Sequence, residues 1–303
     1  MSLLNHMRVF VRVAELCSFT QAANDLGLPK ANVSTSVQQL ENTLGTRLLH
    51  RTTRSVVLTQ DGQAFYERCK DALADVDELQ TMFQTPSMDA LAGRVRVDMS
   101  TVMARQAVLP RLPELLAKHP RLLIELSSTE RRVDVVSEGF DCVLRAGSIN
   151  DVGLVARPIC SMRMVNCASP AYLDRHGTPQ SLEGLAGHQL VHFASTLGAR
   201  SDCFEYTLGN TDHALQLPGP VTVNNAEAYQ AACLAGLGLI QAPLSGVRAL
   251  LEQGALVEVL PHFSARPMPL SLVYANRRNL SVRVRVVMDW LAQVVAEHVQ
   301  EAQ

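Results

Sequence analysis

Apolar positions change their period along this chain, and each change marks a different kind of element. Between residues 18 and 45 the spacing is helical. Ser18 and Gln21 have the spacing of a capping box, in which the Ser18 hydroxyl accepts from the Gln21 amide and the Gln21 side chain answers back. Ala22, Ala23 and Leu26 continue an apolar stripe, and Gly27 can take the left-handed conformation that ends a helix. Pro29 fits the first position of a second helix, where a missing N–H does no harm. In that helix Val33, Val37 and Leu40 fall at i, i+4 and i+7 and face inward, which leaves Lys30, Asn32, Ser34, Thr35, Gln38 and Gln39 outward or flanking. With Ser18, Thr20 and Gln21 these make a candidate DNA-facing set, since small polar side chains hydrogen-bond base edges and phosphates. An ordinary helical hairpin with a solvated face gives the same spacing.

After Gly45 the period becomes alternating. Val56 and Leu58 share one side, and Arg51, Thr52, Thr53 and Arg54 cluster in the bend before them, which predicts a two-stranded wing. Arg51, Thr53 and Arg54 on its tip suit phosphates or a narrow minor groove, although charge runs are usually solvated surface. From Thr59 to about Gln84 the pattern is helical again. Phe65, Cys69, Ala72, Val76, Leu79 and Phe83 are spaced by 4, 3, 4, 3 and 4 residues, the rhythm of an a/d seam. Thr59 is the expected N-cap, Asp61 lies in the first turn and Pro86 stops the helix. Such a seam pairs two copies or packs on another part of its own chain.

The segment from Met7 to Gly62 resembles the winged helix-turn-helix of the LysR-type transcriptional regulators. The resemblance is carried by Phe10 and Val13, Ser18-Phe19-Thr20, Ala22-Ala23, Leu26, Val33-Ser34 and Leu40-Glu41. Leu44-Gly45, Arg47-Leu48-Leu49, Arg51-Thr52-Thr53-Arg54 and Leu58-Thr59-Gln60-Asp61-Gly62 complete it. Cys17, Leu49 and Pro29-Lys30 depart from the family pattern, and Lys30 exchanges an adenine-reading amide for a point charge suited to guanine or phosphate. The resemblance implies that the helix after the wing pairs two copies, so that the double-stranded promoter target is an inverted repeat and the assembly a homodimer or a homotetramer built from two dimers.

Beyond residues 85–93, read as a hinge, short apolar strands alternate with helices. Strands are expected at Val95 to Met99, Leu122 to Ser127 and Cys142 to Arg145, with helices at Ala104 to Lys118 and Val133 to Glu138, a parallel α/β arrangement. A second set covers Met162 to Ala168, Leu190 to Phe193, Ala226 to Ala235 and Leu239 to Gln241. The chain returns with Leu270 to Tyr274 and a helix from about Val282 to His298. Leu109-Pro110, His119-Pro120, Glu138-Gly139-Phe140-Asp141 and Ala235-Gly236-Leu237-Gly238 with Pro243 resemble the two-lobed, periplasmic-binding-protein-like effector domain of the same family. The expected organisation is therefore multidomain. An all-α winged helix-turn-helix domain spans 1–60, a linker helix 59–84 and an α/β effector domain 94–303, with lobe I at 94–162 and 266–303 and lobe II at 163–265.

Ligands of open α/β sheets bind at the carboxyl ends of strands. Ser100-Thr101, Ser195-Thr196 and Asn224-Asn225 stand at such ends and offer hydroxyls, amides and helix N-termini to an anion, which makes an organic carboxylate the favoured effector. Each pair also serves as an ordinary N-cap. Arg145 pairs with a ligand carboxylate or is held by Asp141 or Asp151, and His192 contacts the ligand or is a satisfied structural residue.

Composition narrows the picture. The 303 residues carry a net charge of −2, but residues 1–70 hold eight Lys/Arg against five Asp/Glu, while 71–93 hold five acids and no base. That modest positive field favours paired copies on DNA. No apolar stretch spans a bilayer and no signal-peptide core stands at the N-terminus, so the expected location is the cytoplasm, with no membrane role. Seven scattered cysteines without a C-x-x-C pair predict neither a disulfide framework nor a metal site, and no cofactor is expected. Two of Cys160, Cys167, Cys203 and Cys233 would have to serve a redox-responsive alternative. A small-molecule binding protein without DNA function is a further alternative. An enzyme is disfavoured: Gly236-Leu237-Gly238 lacks the third glycine of a dinucleotide fingerprint, and there is no G-x-S-x-G, P-loop or H-E-x-x-H.

Overall fold

The computed structural model describes residues 2–51, 56–81, 91–149, 153–198, 203–275 and 280–302. The chain divides into two compact units, Met1–Arg94 and Val95–Gln303.

The first unit contains α1 (Leu3–Leu16), α2 (Phe19–Leu26), α3 (Lys30–Leu44), β1 (Leu49–Arg51), β2 (Val56–Leu58) and α4 (Gln60–Thr81). Ser18 Oγ accepts from the Gln21 amide at 3.3 Å and Gly27 closes α2 at φ 63°, where only glycine is unstrained. Pro29 sits one position earlier than expected, as the N-cap of α3. Its ψ of 138° is extended, and its carbonyl takes the first amides, Asn32 at 2.9 Å and Val33 at 3.2 Å. Phe10, Val13, Val33, Val37 and Leu40 have no exposed surface and form one core with Leu48 and Leu49. Truncating a ring such as Phe10, which packs on Phe65 at 5.7 Å between centroids, costs about 3–5 kcal/mol. The alternation after Gly45 forms an antiparallel pair, Leu49 opposite Leu58 and Arg51 opposite Val56. Thr59 Oγ1 accepts from the Gly62 amide at 2.8 Å and caps α4.

The second unit opens with β3 (Ala92–Met99, its first residues belonging to the first unit). A continuous helical stretch follows: α5 (Thr101–Met103), a wide turn over Ala104–Val108, and α6 (Leu109–Lys118). Next come β4 (Arg121–Ser128), β5 (Cys142–Ala146), β6 (Leu154–Met162), β7 (Met164–Ala168), α7 (Pro170–His176), β8 (His192–Phe193), β9 (Cys203–Leu208) and β10 (Thr211–Gln216). The chain finishes with β11 (Thr222–Val223), α8 (Ala226–Leu234), β12 (Ile240–Pro243), α9 (Leu244–Glu252), β13 (Val257–Glu258), β14 (Met268–Ala275) and α10 (Val282–Glu301).

A five-stranded sheet has the order β4-β3-β5-β14-β6, and a three-stranded sheet the order β12-β7-β13. The expected parallel arrangement holds for β3 with β5, but β14 runs antiparallel to both β5 and β6, so the sheet is mixed. α10 covers it with Val287, Leu291 and Val295 against Val97, Met99 and Leu272, all almost fully buried. Each such side chain contributes roughly 1.5–3 kcal/mol. The three-stranded sheet has its own core, with Val165, Cys167, Ile240 and Val247.

The helix expected at Val133 to Glu138 is a single turn. Asp134 accepts from the amides of Val136 (3.0 Å) and Ser137 (2.9 Å), Glu138 returns to the Asp134 amide (3.0 Å), and Gly139 at φ 71° ends it. These local side-chain bonds compete with helix propagation. Of the hinge read at 85–93, Ala92 and Gly93 belong to β3, and residues 85–90 lie outside the described residues.

Candidate nucleic-acid interface and ligand cleft

The outer face of α3 carries exposed Lys30, Asn32, Thr35, Gln38 and Gln39, with Ser34 half-buried; Thr20 and Gln21 are exposed on α2 and Ser18 is half-buried at its start. Not all of them are equally available. Thr35 Oγ1 donates to the Ala31 carbonyl at 2.9 Å, so its hydroxyl proton is engaged within the helix and only its lone pairs and methyl are left for a base. Gln38 keeps the amide that suits bidentate contact with adenine. The wing is tied to the same helix: Glu41 Oε1 accepts from the amides of Leu48 (2.9 Å) and Leu49 (3.2 Å). Thr59 donates to the Arg47 carbonyl at 2.7 Å, and Thr46 to Asp61 at 2.8 Å. Arg12 grips Asp25 at 2.6 and 2.7 Å and Glu15 at 2.9 Å, fixing α1 to the end of α2. That guanidinium holds the Asp25 carboxyl below its usual range.

In the second unit a cleft of about 920 Å³ opens between the two sheets. Its walls are mainly apolar, with Val102, Met103, Val133, Val135 and Val143 from the five-stranded side and Phe193 and Tyr229 opposite. Phe193 and Tyr229 meet edge-to-face at 5.6 Å, and Tyr229 Oη accepts from the Gln241 amide at 3.1 Å. The polar lining residues include Ser100, Glu130, Arg132, Arg145, Ser148, Ser195, Glu205, Gln230, Gln241 and Ser245. Ser100 also caps α5, accepting from the Met103 amide at 3.3 Å. Glu130 follows the end of β4, and its Oε1 is buried with no hydrogen-bond partner. Burial pushes this carboxyl up; the amide of Ala226, the Arg145 charge and the amide of Thr101 oppose that rise, while Asp98 adds to it. Those amides hydrogen-bond the carboxylate, and Oε1 is left without a partner. Arg145 is committed elsewhere, to the fully buried Asp98 at 2.5 Å and to the Arg131 carbonyl at 3.2 Å, and Asp98 also takes the Thr129 hydroxyl at 3.1 and 3.2 Å. Among the described residues no group of three or more His, Cys, Asp or Glu gathers to hold a metal ion. No helix among them is long and apolar enough to cross a membrane.

Comparison with known proteins matches residues 4–63 to the bacterial regulatory helix-turn-helix proteins of the lysR family, and residues 88–296 to the LysR substrate binding domain. The chain belongs to the LysR family of transcriptional regulators. An uncharacterized HTH-type transcriptional regulator, YhjC, of Escherichia coli (strain K12) is 46% identical over 298 residues, 98% of this chain and 99% of that one. An HTH-type transcriptional repressor of Pseudomonas aeruginosa (strain UCBPP-PA14) is 36% identical over 300 residues, 98% and 94% of the two chains. The solved structure of CrgA, a LysR-type regulator from Neisseria meningitidis, is similar with a TM-score of 0.61 at 30% identity, covering 96% of this chain and 98% of that one.

Within this LysR regulator the expected effector residues separate. Ser100, Arg145 and Ser195 line the cleft. Thr101, His192, Thr196, Asn224 and Asn225 do not. Asn225 is the cap of α8, its Oδ1 accepting from the Ala228 amide at 2.8 Å; His192 is buried in β8; Thr196 and Asn224 are exposed. Arg145 is held by Asp98 rather than Asp141, whose carboxylate accepts from the Arg96 amide at 2.9 Å; Asp151 lies outside the described residues. The seam of α4 is also divided. Phe65 packs on Phe10 of the first helix, and Cys69 is wholly buried in the core of its own unit. Ala72 and Val76 are half-buried, and the side chain of Leu79 and all of Phe83 lie outside the described residues, as do Thr53, Arg54 and the side chain of Arg51. Burial pushes the thiols of Cys160, Cys167 and Cys233 up, the last to about 12, which keeps them protonated and weakly reactive. Cys203 lines the cleft.

The roles of three residues escaped the sequence reading. Glu130 stands just past the carboxyl end of a strand, and the rule applied to Ser100 finds it when extended to β4. Glu41 and Asp98 carry no local signal, because their partners lie 7 or more positions away along the chain.

Proposed function

We propose that this regulator binds inverted-repeat promoter DNA as a homodimer, two of which form a tetramer, and answers to a small acidic effector held in its cleft. The reading rests above all on one observation: a row of exposed Lys30, Asn32, Gln38 and Gln39 on a helix whose end is bonded through Glu41 to the wing. A helix held this rigidly presents its polar side chains to a major groove in a fixed register, while the wing follows the backbone. Thr20 and Gln21 add to this set, and Arg51, Thr53 and Arg54, taken from the sequence, add phosphate contacts. Pairing uses the part of α4 beyond Cys69, from Ala72 and Val76 onward, because the earlier seam positions are engaged at home.

The effector has an apolar body that fills the Val133, Val135 and Phe193 walls, with its acid directed to exposed Arg132 and the hydroxyl of Ser195. Arg145 is part of the wall and is braced there by Asp98. The protein acts in the cytoplasm as a binder, not a catalyst. A ligand shifts the arrangement of the assembly only through its differential affinity for the two states. Sequencing genomic DNA captured by the full-length protein tests the proposal: a few promoter fragments, each with an inverted repeat, support it, and uniform recovery of the genome contradicts it.

A further inference from the structure

The cleft contains one group that an acidic effector leaves unexplained. Glu130 Oε1 is buried at the wall and makes no hydrogen bond, while nearly all buried polar atoms in folded proteins find a partner. Its surroundings do not complete it. Arg145, whose charge acts on it, is taken by Asp98 and the Arg131 carbonyl, and the amides of Thr101 and Ala226 hydrogen-bond the carboxylate while Oε1 keeps no partner.

Those two amides open α5 and α8, the helix starts where an effector anion was expected. The chain's own carboxylate already faces them. A second carboxylate placed there would meet like charge at short range in a partly desolvated site, which is strongly unfavourable. The group that fits beside Oε1 is a donor.

We propose that Glu130 is the specificity-determining residue of the cleft and selects an effector that carries an amino or other strong hydrogen-bond donor group in addition to its acid and apolar body. This deepens the proposed function and rests on its placing of the effector in the cleft. The donor completes Oε1, the acid is directed to Arg132, and plain apolar acids are rejected because they leave Oε1 buried without a partner.

The test uses two small acids of one shape, 4-(aminomethyl)benzoate and 4-methylbenzoate, titrated calorimetrically into the full-length protein and into Glu130→Gln. Glu130→Asp, which keeps the charge, serves as a folding control alongside thermal melting of each variant. The wild type should prefer the amine by at least tenfold, as for a hydrogen bond to a charged group, and Glu130→Gln should reduce that preference to less than threefold. Equal or tighter binding of 4-methylbenzoate by the wild type overturns the role of Glu130 and leaves the cleft reading standing. A preference for the amine that Glu130→Gln does not alter also overturns it. If neither acid binds the wild type or either folded variant, the cleft reading and this inference fall together.

Discussion

Arg145→Met tests whether Arg145 is a strut or a ligand contact. Asp98 has no exposed surface and the Arg145 side chain is only 16% exposed, so the pair is largely withdrawn from water at the cleft wall. Removing one member of a buried pair leaves an uncompensated charge, which costs about 3–5 kcal/mol. The Thr129 hydroxyl remains as one donor to Asp98 and keeps the loss toward the lower end. With a urea slope of about 3 kcal/mol/M, the unfolding midpoint of the second unit should fall by about 1 to 1.7 M. Trp290, the one tryptophan of the chain, packs against the core that Met99 and Leu144 share, so its fluorescence follows this unit alone. Asp98→Leu combined with Arg145→Met removes both charges and should recover most of the loss, because a buried pair replaced by apolar residues is often neutral. A single variant within about 0.5 kcal/mol of wild type without effector would refute the strut and return Arg145 to the ligand.

Gln38→Ala should reduce discrimination between operator and scrambled DNA by about 1–3 kcal/mol in a competition assay, and Thr35→Val by less, since the Thr35 proton is engaged with Ala31. Gly62→Ala should abolish DNA binding and expose α4 to limited proteolysis. An added Cβ would lie 1.9 Å from the Leu48 carbonyl oxygen, a backbone atom that cannot move aside without unseating the wing, and overpacking of this kind costs about 1–3 kcal/mol or more. His188 contributes a pH dependence of known sign: burial first, then the charge of His176, lowers its pKa below that of the unfolded chain. Its contribution is therefore fully present above about pH 6.5 and is lost as pH falls below that value through the lowered pKa of the folded state, so wild-type melting should drop more between pH 7 and 5 than that of His188→Asn. Equal slopes would remove His188 as a source.

The first unit was largely legible because its signals are local. Ser18 with Gln21, Gly27, and Val33 with Val37 and Leu40 specify capping, termination and an inward face within a few residues; Gly27 and the apolar trio behave as their spacing implies, while Ser18 accepts from the Gln21 amide as one half of the expected box. The α4 seam shows where periodicity stops short: 4-3 spacing establishes that Phe65 and Cys69 are buried but not by what, and Phe10 is the answer for the first. In the second unit β10 was invisible because all its residues are exposed and TDHALQ has no alternation. β6 was missed because Pro158 interrupts its run; the register of β14 shifts beside it, the bulge in which a sheet tolerates proline. The polar clusters after strands were found, yet most proved to be caps or exposed. The cleft's charged groups are set by partners far apart in sequence, as Asp98 with Arg145 shows.

The central claim, a paired reading head, is tested most directly by equilibrium binding of the full-length protein to one selected operator in two forms at fixed salt. One form keeps both half-sites and the other has one half-site scrambled. The account predicts that scrambling either half weakens binding by about 10²-fold or more, because the second head then loses its tethered site. Equal affinity for the two forms would contradict it.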